Sequence, residues 1–215
     1  MTEGDDDMIK RGVSKNYFHW ESYTDGKIYD QRLVDKSLEE KKEPKESAFD
    51  PNNIDTKILV YEDRVKGWFL EIAGKLKTDN EAGFVILQIA LSYLEGNQQY
   101  RKGENSRNNS EVFFKESLKR IFPELCIRQN IDRLLHNFYV GVRCGLFHDG
   151  MTRRFVTISG EFSDALSIHA NEIKINPHKF LDKITEDFDE YITELKDTSN
   201  TVLRRNFENI WSVTG

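Results

Sequence analysis

The sequence has little cysteine and proline and no long apolar run. Only two of its 215 residues are cysteines, Cys126 and Cys144, and neither lies in a Cys-x-x-Cys or Cys/His pattern. A disulfide framework or a structural zinc site is therefore not expected. The longest apolar stretch, residues 84–94, is interrupted by polar residues. It is too short to cross a bilayer, which takes about 20 apolar residues.

A secretion signal and a strong positive charge are also lacking. The chain starts with acidic residues where a signal needs a basic region and an apolar run, so we expect a cytoplasmic protein without a membrane segment. The net charge of −6 does not indicate a general nucleic-acid binder. Residues 101–128 form a weak basic patch, with seven Lys/Arg against four Asp/Glu.

Residues 1–54 differ from the rest in composition. The first 50 residues hold 13 Asp/Glu against nine Lys/Arg, and they include scattered aromatic side chains. This pattern predicts an N-terminal charged and aromatic extension that docks on the body of the protein or on a protein partner. Residues 37–50 resemble a charged linker.

Helical periodicity dominates residues 55–150. Apolar residues recur every three or four positions, which predicts four packed helices. The expected segments are residues 55–77, 79–99, a helix starting at Ser110, and residues 127–147. The first apolar face is expected to include Trp68 and Ile72, and the fourth to include Ile127. The second segment is apolar nearly all round, so it is expected to be the central helix.

Residues 151–215 are predicted to add a small β-hairpin and one or two C-terminal helices. Residues 154–159 and 166–175 have the composition of short strands, with a turn near Asn171. Asn176 and Pro177 are typical of a helix start. The predicted fold class is therefore mainly α: a four-helix bundle with a β-hairpin insertion and C-terminal helices on the core.

Polar side chains on the fourth predicted helix form a stripe beside its apolar face. They are spaced by four, three and four positions: Asp132, His136, Tyr139 and Arg143. His148 follows Arg143 by five positions, at the expected end of the helix. Arginine grips phosphate oxygens with a planar fork of donors, and histidine exchanges protons near neutral pH. A ribose 2′-hydroxyl beside such a pair can attack the adjacent phosphate, which gives a 2′,3′-cyclic phosphate.

The Arg143-x4-His148 motif, preceded by Tyr139 on the last helix of a four-helix bundle, resembles the Arg-x(4–6)-His motif of the HEPN superfamily. The resemblance covers residues 55–150. It implies a metal-independent endoribonuclease without cofactors, acting on RNA as a homodimer with one composite cleft. It also implies a role in toxin–antitoxin or antiviral phage defence. Arg143 and His148 would be the catalytic residues.

The sequence departs from the family pattern at Cys144, where active members usually have a polar residue. A thiol is a poor hydrogen-bond partner, which favours an alternative: a non-catalytic helical module that binds a nucleotide or a protein partner. A third possibility is that Arg143 and His148 only stabilise the bundle.

Other polar residues near the motif also have two interpretations. His136 and Tyr139 either line the same cleft or pack at the edge of the core. Asp149 either orients His148 or serves the turn before Gly150. Three charged residues of the first helix, Glu62, Asp63 and Arg64, are expected to face solvent.

Overall fold

The structure, a computed structural model, is mainly helical, which confirms the predicted class. It describes residues 10–20, 26–40, 48–169 and 172–211. The chain divides into two compact units, residues 1–69 with 211–215, and residues 70–210. Arg143 and His148 both belong to the second unit, so the motif lies within one compact body.

The first unit contains a four-stranded antiparallel sheet. Its strands lie in chain order across the sheet: β1 (Lys10–Gly12), β2 (Tyr17–Trp20), β3 (Ile28–Asp30) and β4 (Ala48–Phe49). Two helices accompany them, α1 (Gln31–Glu39) and α2 (Ile54–Val65). The chain continues through a π-helical turn (Lys66–Leu70), α3 (Glu71–Lys75) and a 3₁₀ turn (Leu76–Thr78).

Several aromatic residues of the predicted extension are buried inside this unit. Tyr17, Phe18 and Tyr29 have at most 5% of their surface exposed. Tyr17 packs with Ile28 and Val60, so it joins the sheet to α2. Because these rings fill their own core, they are not free to dock elsewhere. Of the predicted linker, residues 37–39 are helical and 48–49 form β4, while residues 41–47 lie outside the described part.

Two polar residues of α2 bind the loop after β1, so the expectation that they face solvent is wrong. Asp63 accepts hydrogen bonds from Ser14 Oγ (2.6 Å) and from the Asn16 backbone N–H (2.7 Å). The Arg64 guanidinium donates to Val13 O (2.9 Å). Helical periodicity does not reveal these partners, because they lie 47 to 51 positions away in sequence.

The π-helical turn after α2 changes which residues face inward. Trp68 and Ile72 were predicted on the apolar face, but they are 46% and 44% exposed. A π turn closes over more residues than the 3.6 of an α-helix, so the positions that follow it rotate around the axis. Leu70 and Ala73 are buried instead, at 5% and 0% exposure.

The second unit is built around one central helix. Five α-helices belong to this unit besides α3: α4 (Gly83–Lys102), α5 (Ser110–Ile121), α6 (Ile131–Phe138), α7 (Pro177–Lys196) and α8 (Thr201–Ile210). A 3₁₀ turn (Pro123–Ile127) precedes α6, and a π-helix (Tyr139–Asp149) continues it. α4 packs against α5, α7 and α8, as its apolar sequence predicts.

Ile127 does not belong to the apolar face on which the sequence placed it. It is 89% exposed, because it ends the 3₁₀ turn and the helix begins only at Ile131. The rest of the predicted face is largely confirmed, since Leu135, Phe138 and Val142 are fully buried. These side chains direct the opposite, polar side of the helix away from the core.

A buried network of charged groups joins α4, α5 and α7. The Asp187 carboxylate accepts a hydrogen bond from Tyr93 Oη (2.7 Å) and forms ion pairs with Arg120 and, at 3.8 Å, with Arg101. Arg101 also binds Glu194 at 2.8 Å. Burial and, to a smaller extent, the nearby charge of Arg101 lower the pKa of Arg120 to about 10. Removing Asp187 would therefore leave Arg120 without this anion and Arg101 with Glu194 alone.

A three-stranded sheet follows the π-helix. Its strands are β5 (Val156–Ile158), β6 (Leu166–His169) and β7 (Glu172–Ile175). β6 and β7 form the predicted hairpin, and β5 pairs with β7 in parallel. The turn expected near Asn171 lies outside the described residues. Asn176 caps α7 as predicted, because its side-chain oxygen accepts from the N–H groups of His178 and Lys179.

Candidate functional site

The Arg143–His148 motif lies on the π-helix that continues α6. This helix ends at Gly150, whose φ of 69° is left-handed and whose N–H donates to Gly145 O. A π-helix closes hydrogen bonds between residues five apart. Arg143 and His148 are therefore separated by one hydrogen-bonded turn, which an α-helix would not give. π-helical segments are rare in proteins, and those that occur often lie at functional sites.

Two glycines let the chain return closely along this helix. A Cβ added to Gly141 would lie 2.5 Å from the Phe155 ring, and one added to Gly145 would lie 2.5 Å from Met151 O. The Arg153 N–H donates to Gly141 O (2.9 Å). Residues 151–155 therefore pack directly on the backbone of the motif, and a larger side chain at either glycine would displace them.

The Arg143 guanidinium is held by one carboxylate and two aromatic rings. Its Nη2 donates to Glu95 Oε2 on α4 (3.3 Å), and Glu95 also accepts a hydrogen bond from Ser106 Oγ (2.6 Å). The guanidinium carbon lies 4.9 Å from the centre of the Phe147 ring and 5.7 Å from that of Tyr139. The side chain is 24% exposed. Arg143 is thus fixed in orientation and still reaches solvent.

Tyr139 connects Arg143 to the core. Its ring packs edge-on against Phe114 at a centroid distance of 5.4 Å. Burial raises the pKa of the Tyr139 hydroxyl, while the Arg143 charge opposes this shift and a hydrogen bond with the Cys144 thiol adds to it. Tyr139 therefore remains a neutral hydroxyl at neutral pH. Cys144 is a half-buried free thiol whose polar contact is with tyrosine.

His148 is exposed at the end of the π-helix. Within the part of the chain that the structure describes, its ring makes no hydrogen bond or ion pair. The neighbouring Asp149 instead pairs with Arg153 at 2.9 Å. The imidazole is therefore open to a ligand, and Asp149 does not orient it in this arrangement.

His136 and Asp132 are bound to α5. His136 Nδ1 lies 2.8 Å from Glu111 Oε1, and Glu111 also pairs with Lys115. The Lys115 hydrogen bond lowers the pKa of Glu111 most, followed by the His136 hydrogen bond. Asp132 pairs with Lys119 at 2.8 Å. The polar stripe therefore divides where the π-helix begins: its first half joins α5, and its second half carries Arg143.

Glu95 is the site residue that periodicity did not single out. The sequence does contain a signal for it, because Glu95 is the only carboxylate on α4, and the two cations of this helix, Arg101 and Lys102, lie in its last turn. A carboxylate in the middle of a buried helix needs a partner. Phe147 was missed for another reason: it is 40% exposed and would be an ordinary surface residue without the arginine against it.

Comparisons with protein families, with characterised proteins and with solved structures found no match to this chain. In the described residues, no three His, Cys, Asp or Glu side chains lie close enough together to hold a metal ion. No helix in the same residues is long and apolar enough to cross a membrane. The site is therefore interpreted from its own geometry.

Proposed function

We propose that the chain is a metal-independent endoribonuclease of the HEPN type. The observation that carries this proposal is the state of the two motif residues. Arg143 is oriented by Glu95 and two rings yet reaches solvent, and His148 lies five positions along the same π-helix with no partner among the described residues. A fixed cation beside a free imidazole suits an RNA phosphodiester.

Arg143 would bind the scissile phosphate. A guanidinium has five N–H donors, and the contact with Glu95 uses one of them, so others remain for phosphate oxygens. The Phe147 ring covers part of the cation and shields it from water, which strengthens its attraction for an anion. Because the guanidinium is already held, little side-chain entropy is lost when phosphate binds.

His148 would transfer the protons. It removes the proton from a ribose 2′-hydroxyl, the 2′-oxygen bonds to phosphorus, and the bond from phosphorus to the 5′-oxygen breaks. The departing 5′-oxygen needs a proton from an acid. The His148 that removed the 2′-hydroxyl proton acts as the base, so a second group must supply this proton. One chain offers one such histidine at the site, so the partner's His148 would supply the acid. The proposal therefore includes a homodimer with one composite cleft.

The proposal also places the protein in the cytoplasm. RNA is present there, and thiols such as those of Cys126 and Cys144 stay reduced. A toxin–antitoxin or antiviral defence role would follow from an enzyme that cuts cellular or phage RNA.

Cleavage of RNA in the presence of EDTA tests the proposal. We expect products that end in a 2′,3′-cyclic phosphate. Arg143→Ala and His148→Ala should each lower the rate at least about 100-fold, the range for losing a positioned acid–base group. His169→Ala and Arg205→Ala, two exposed residues elsewhere in the second unit, are the matched controls and should cut normally. If wild-type protein leaves diverse RNAs intact, the ribonuclease proposal fails.

A second candidate is a non-catalytic module that binds a nucleotide or a protein partner. The observation that favours it is the state of the groups around His148: Cys144 contacts Tyr139, and Asp149 is engaged by Arg153. A nucleotide phosphate would bind Arg143 without any turnover, and a protein partner would use exposed groups of residues 1–54 rather than the buried rings of that segment. Calorimetry with nucleotides separates the two candidates, because this one predicts Arg143-dependent binding and no RNA product.

A further inference from the structure

A second polar surface lies at the opposite end of the motif helix. It is an open groove of about 410 Å³ where α6 begins, next to β6. Five polar residues line it together with one leucine and one isoleucine: Arg128, Gln129, Asn130, Arg133 and Asn137. The lining contains two guanidinium groups and three amides and no carboxylate. The groove is therefore positively charged and rich in hydrogen-bond donors.

Most of these side chains form no hydrogen bond or ion pair with the described residues. Arg128 is anchored, since its Nη1 donates to Ile168 O. By contrast, no hydrogen bond or ion pair within the described residues engages the side chains of Gln129, Arg133 or Asn137. Asn130 adopts left-handed φ (60°) before α6 and makes no side-chain cap. A fold that needed these groups for its own stability would pair them, as it pairs Lys119 with Asp132 on the other side of α6.

Two other hollows of the same unit show the difference. One of about 640 Å³ includes Lys179 and Lys183, but it is also lined by three carboxylates. Another of about 760 Å³ includes Lys77 together with two glutamates. The lining of each of these hollows therefore contains both positive and negative side chains. The charged side chains that line the groove at α6 are all positive.

We propose that this groove binds a single-stranded segment of RNA beside the cleavage site. The inference rests on the proposed ribonuclease function and extends it to substrate binding. Arg133 suits a phosphate, and the amides of Gln129 and Asn137 suit the exposed edges of unpaired bases. Ten residues separate Arg133 from Arg143, roughly 15 Å along a helix. Along the helix axis, the groove and the motif therefore lie within the length of a few nucleotides.

Binding of a short, fluorescein-labelled, mixed-sequence single-stranded RNA tests the groove. The measurements use the full chain carrying His148→Ala, so that the RNA stays intact during fluorescence anisotropy. Arg133→Ala should weaken binding roughly tenfold, the effect of losing one charge-assisted hydrogen bond. It should also reduce the salt dependence of log K by about 0.7, the value for one phosphate of a single strand. Asn137→Ala should weaken binding less and leave the salt dependence unchanged.

Arg205→Ala is the matched control, because it removes the same charge from an exposed position on α8. If Arg133→Ala and Arg205→Ala bind the RNA with equal affinity, the proposal that the groove binds RNA is wrong. Competition by polyglutamate as strong as that by unlabelled RNA would also overturn it, since an acidic polymer lacks phosphates and bases.

The two proposals fail separately. If the wild-type protein cuts RNA and Arg133→Ala cuts it with unchanged KM, the proposal that the groove binds RNA is rejected. The ribonuclease proposal is then supported. If no RNA is cut but RNA binding still depends on Arg133, the ribonuclease proposal is rejected. The proposal that the groove binds RNA is then supported.

Discussion

Replacement of Gly145 by alanine tests whether the chain returns as closely along the π-helix as the structure shows. A Cβ at this position would lie 2.5 Å from Met151 O and 3.3 Å from Thr152 Cα, both of them backbone atoms. An ordinary contact needs about 3.4 Å or more. The returning backbone must therefore move by most of an ångström, and the bond from Met151 N–H to Gly145 O (3.3 Å) weakens as it moves.

The size of the effect follows from two opposing contributions. Alanine is favoured over glycine inside a helix by up to about 1 kcal/mol. Overpacking a fitted contact costs about 1–3 kcal/mol, and losing the hydrogen bond costs about 1 kcal/mol more. The net destabilisation is therefore about 1–3 kcal/mol. For a chain of this size that lowers the melting temperature by roughly 2–12 °C.

Gly96→Ala is the matched control. Gly96 also lies inside a helix, on α4, but a Cβ there meets nothing within 4 Å. Only the helical preference remains, so this variant should gain about 0.5–1 kcal/mol. Thermal unfolding followed by circular dichroism compares both variants with the wild type. If Gly145→Ala melts at or above the wild type, the close return of residues 151–155 along the π-helix is wrong.

Two further substitutions test the contacts behind the site and the core. Glu95→Gln keeps a hydrogen-bond acceptor for Arg143 but removes its charge, so under the ribonuclease proposal kcat should fall roughly tenfold through lost orientation. KM should not rise, and an increase confined to KM in steady-state kinetics would refute this positioning role. Asp187→Asn should destabilise the fold by roughly 3 kcal/mol in urea unfolding, because Arg120 loses its anion and Arg101 keeps only Glu194. Glu194→Gln, at a side chain that is 48% exposed, should change stability by less than about 1 kcal/mol.

Much of the helical framework could be predicted from the sequence. α4 and α7 are long, and α4 is apolar nearly all round while α7 has one apolar stripe, so a single physical requirement, burial of apolar side chains, determines both. The start of α7 is also determined by neighbouring residues, since Asn176 supplies the cap and Pro177 the first turn. Such features depend on residues within a few positions of one another, which a sequence displays directly.

The π segments could not be predicted in the same way. Trp68 and Ile72 continue the α-helical spacing of Ile58 and Tyr61, yet the turn between them adds a residue and moves them to the surface. Whether a helix widens there depends on what packs against it, so the decision lies in distant contacts. The pairing of Arg143 with Glu95 likewise depends on a contact between residues that are 48 positions apart in sequence.

The spacing of the motif acquires its meaning only from the π-helix. In an α-helix, residues five apart point about 140° away from each other, since 3.6 residues complete a turn. Arg143 and His148 would then face different surroundings, and their sequence spacing would carry little chemical information. With hydrogen bonds between residues five apart, the same spacing comes close to one turn. The chain returns closely over Gly141 and Gly145 along this wider helix, so these glycines matter to the site although they carry no functional group.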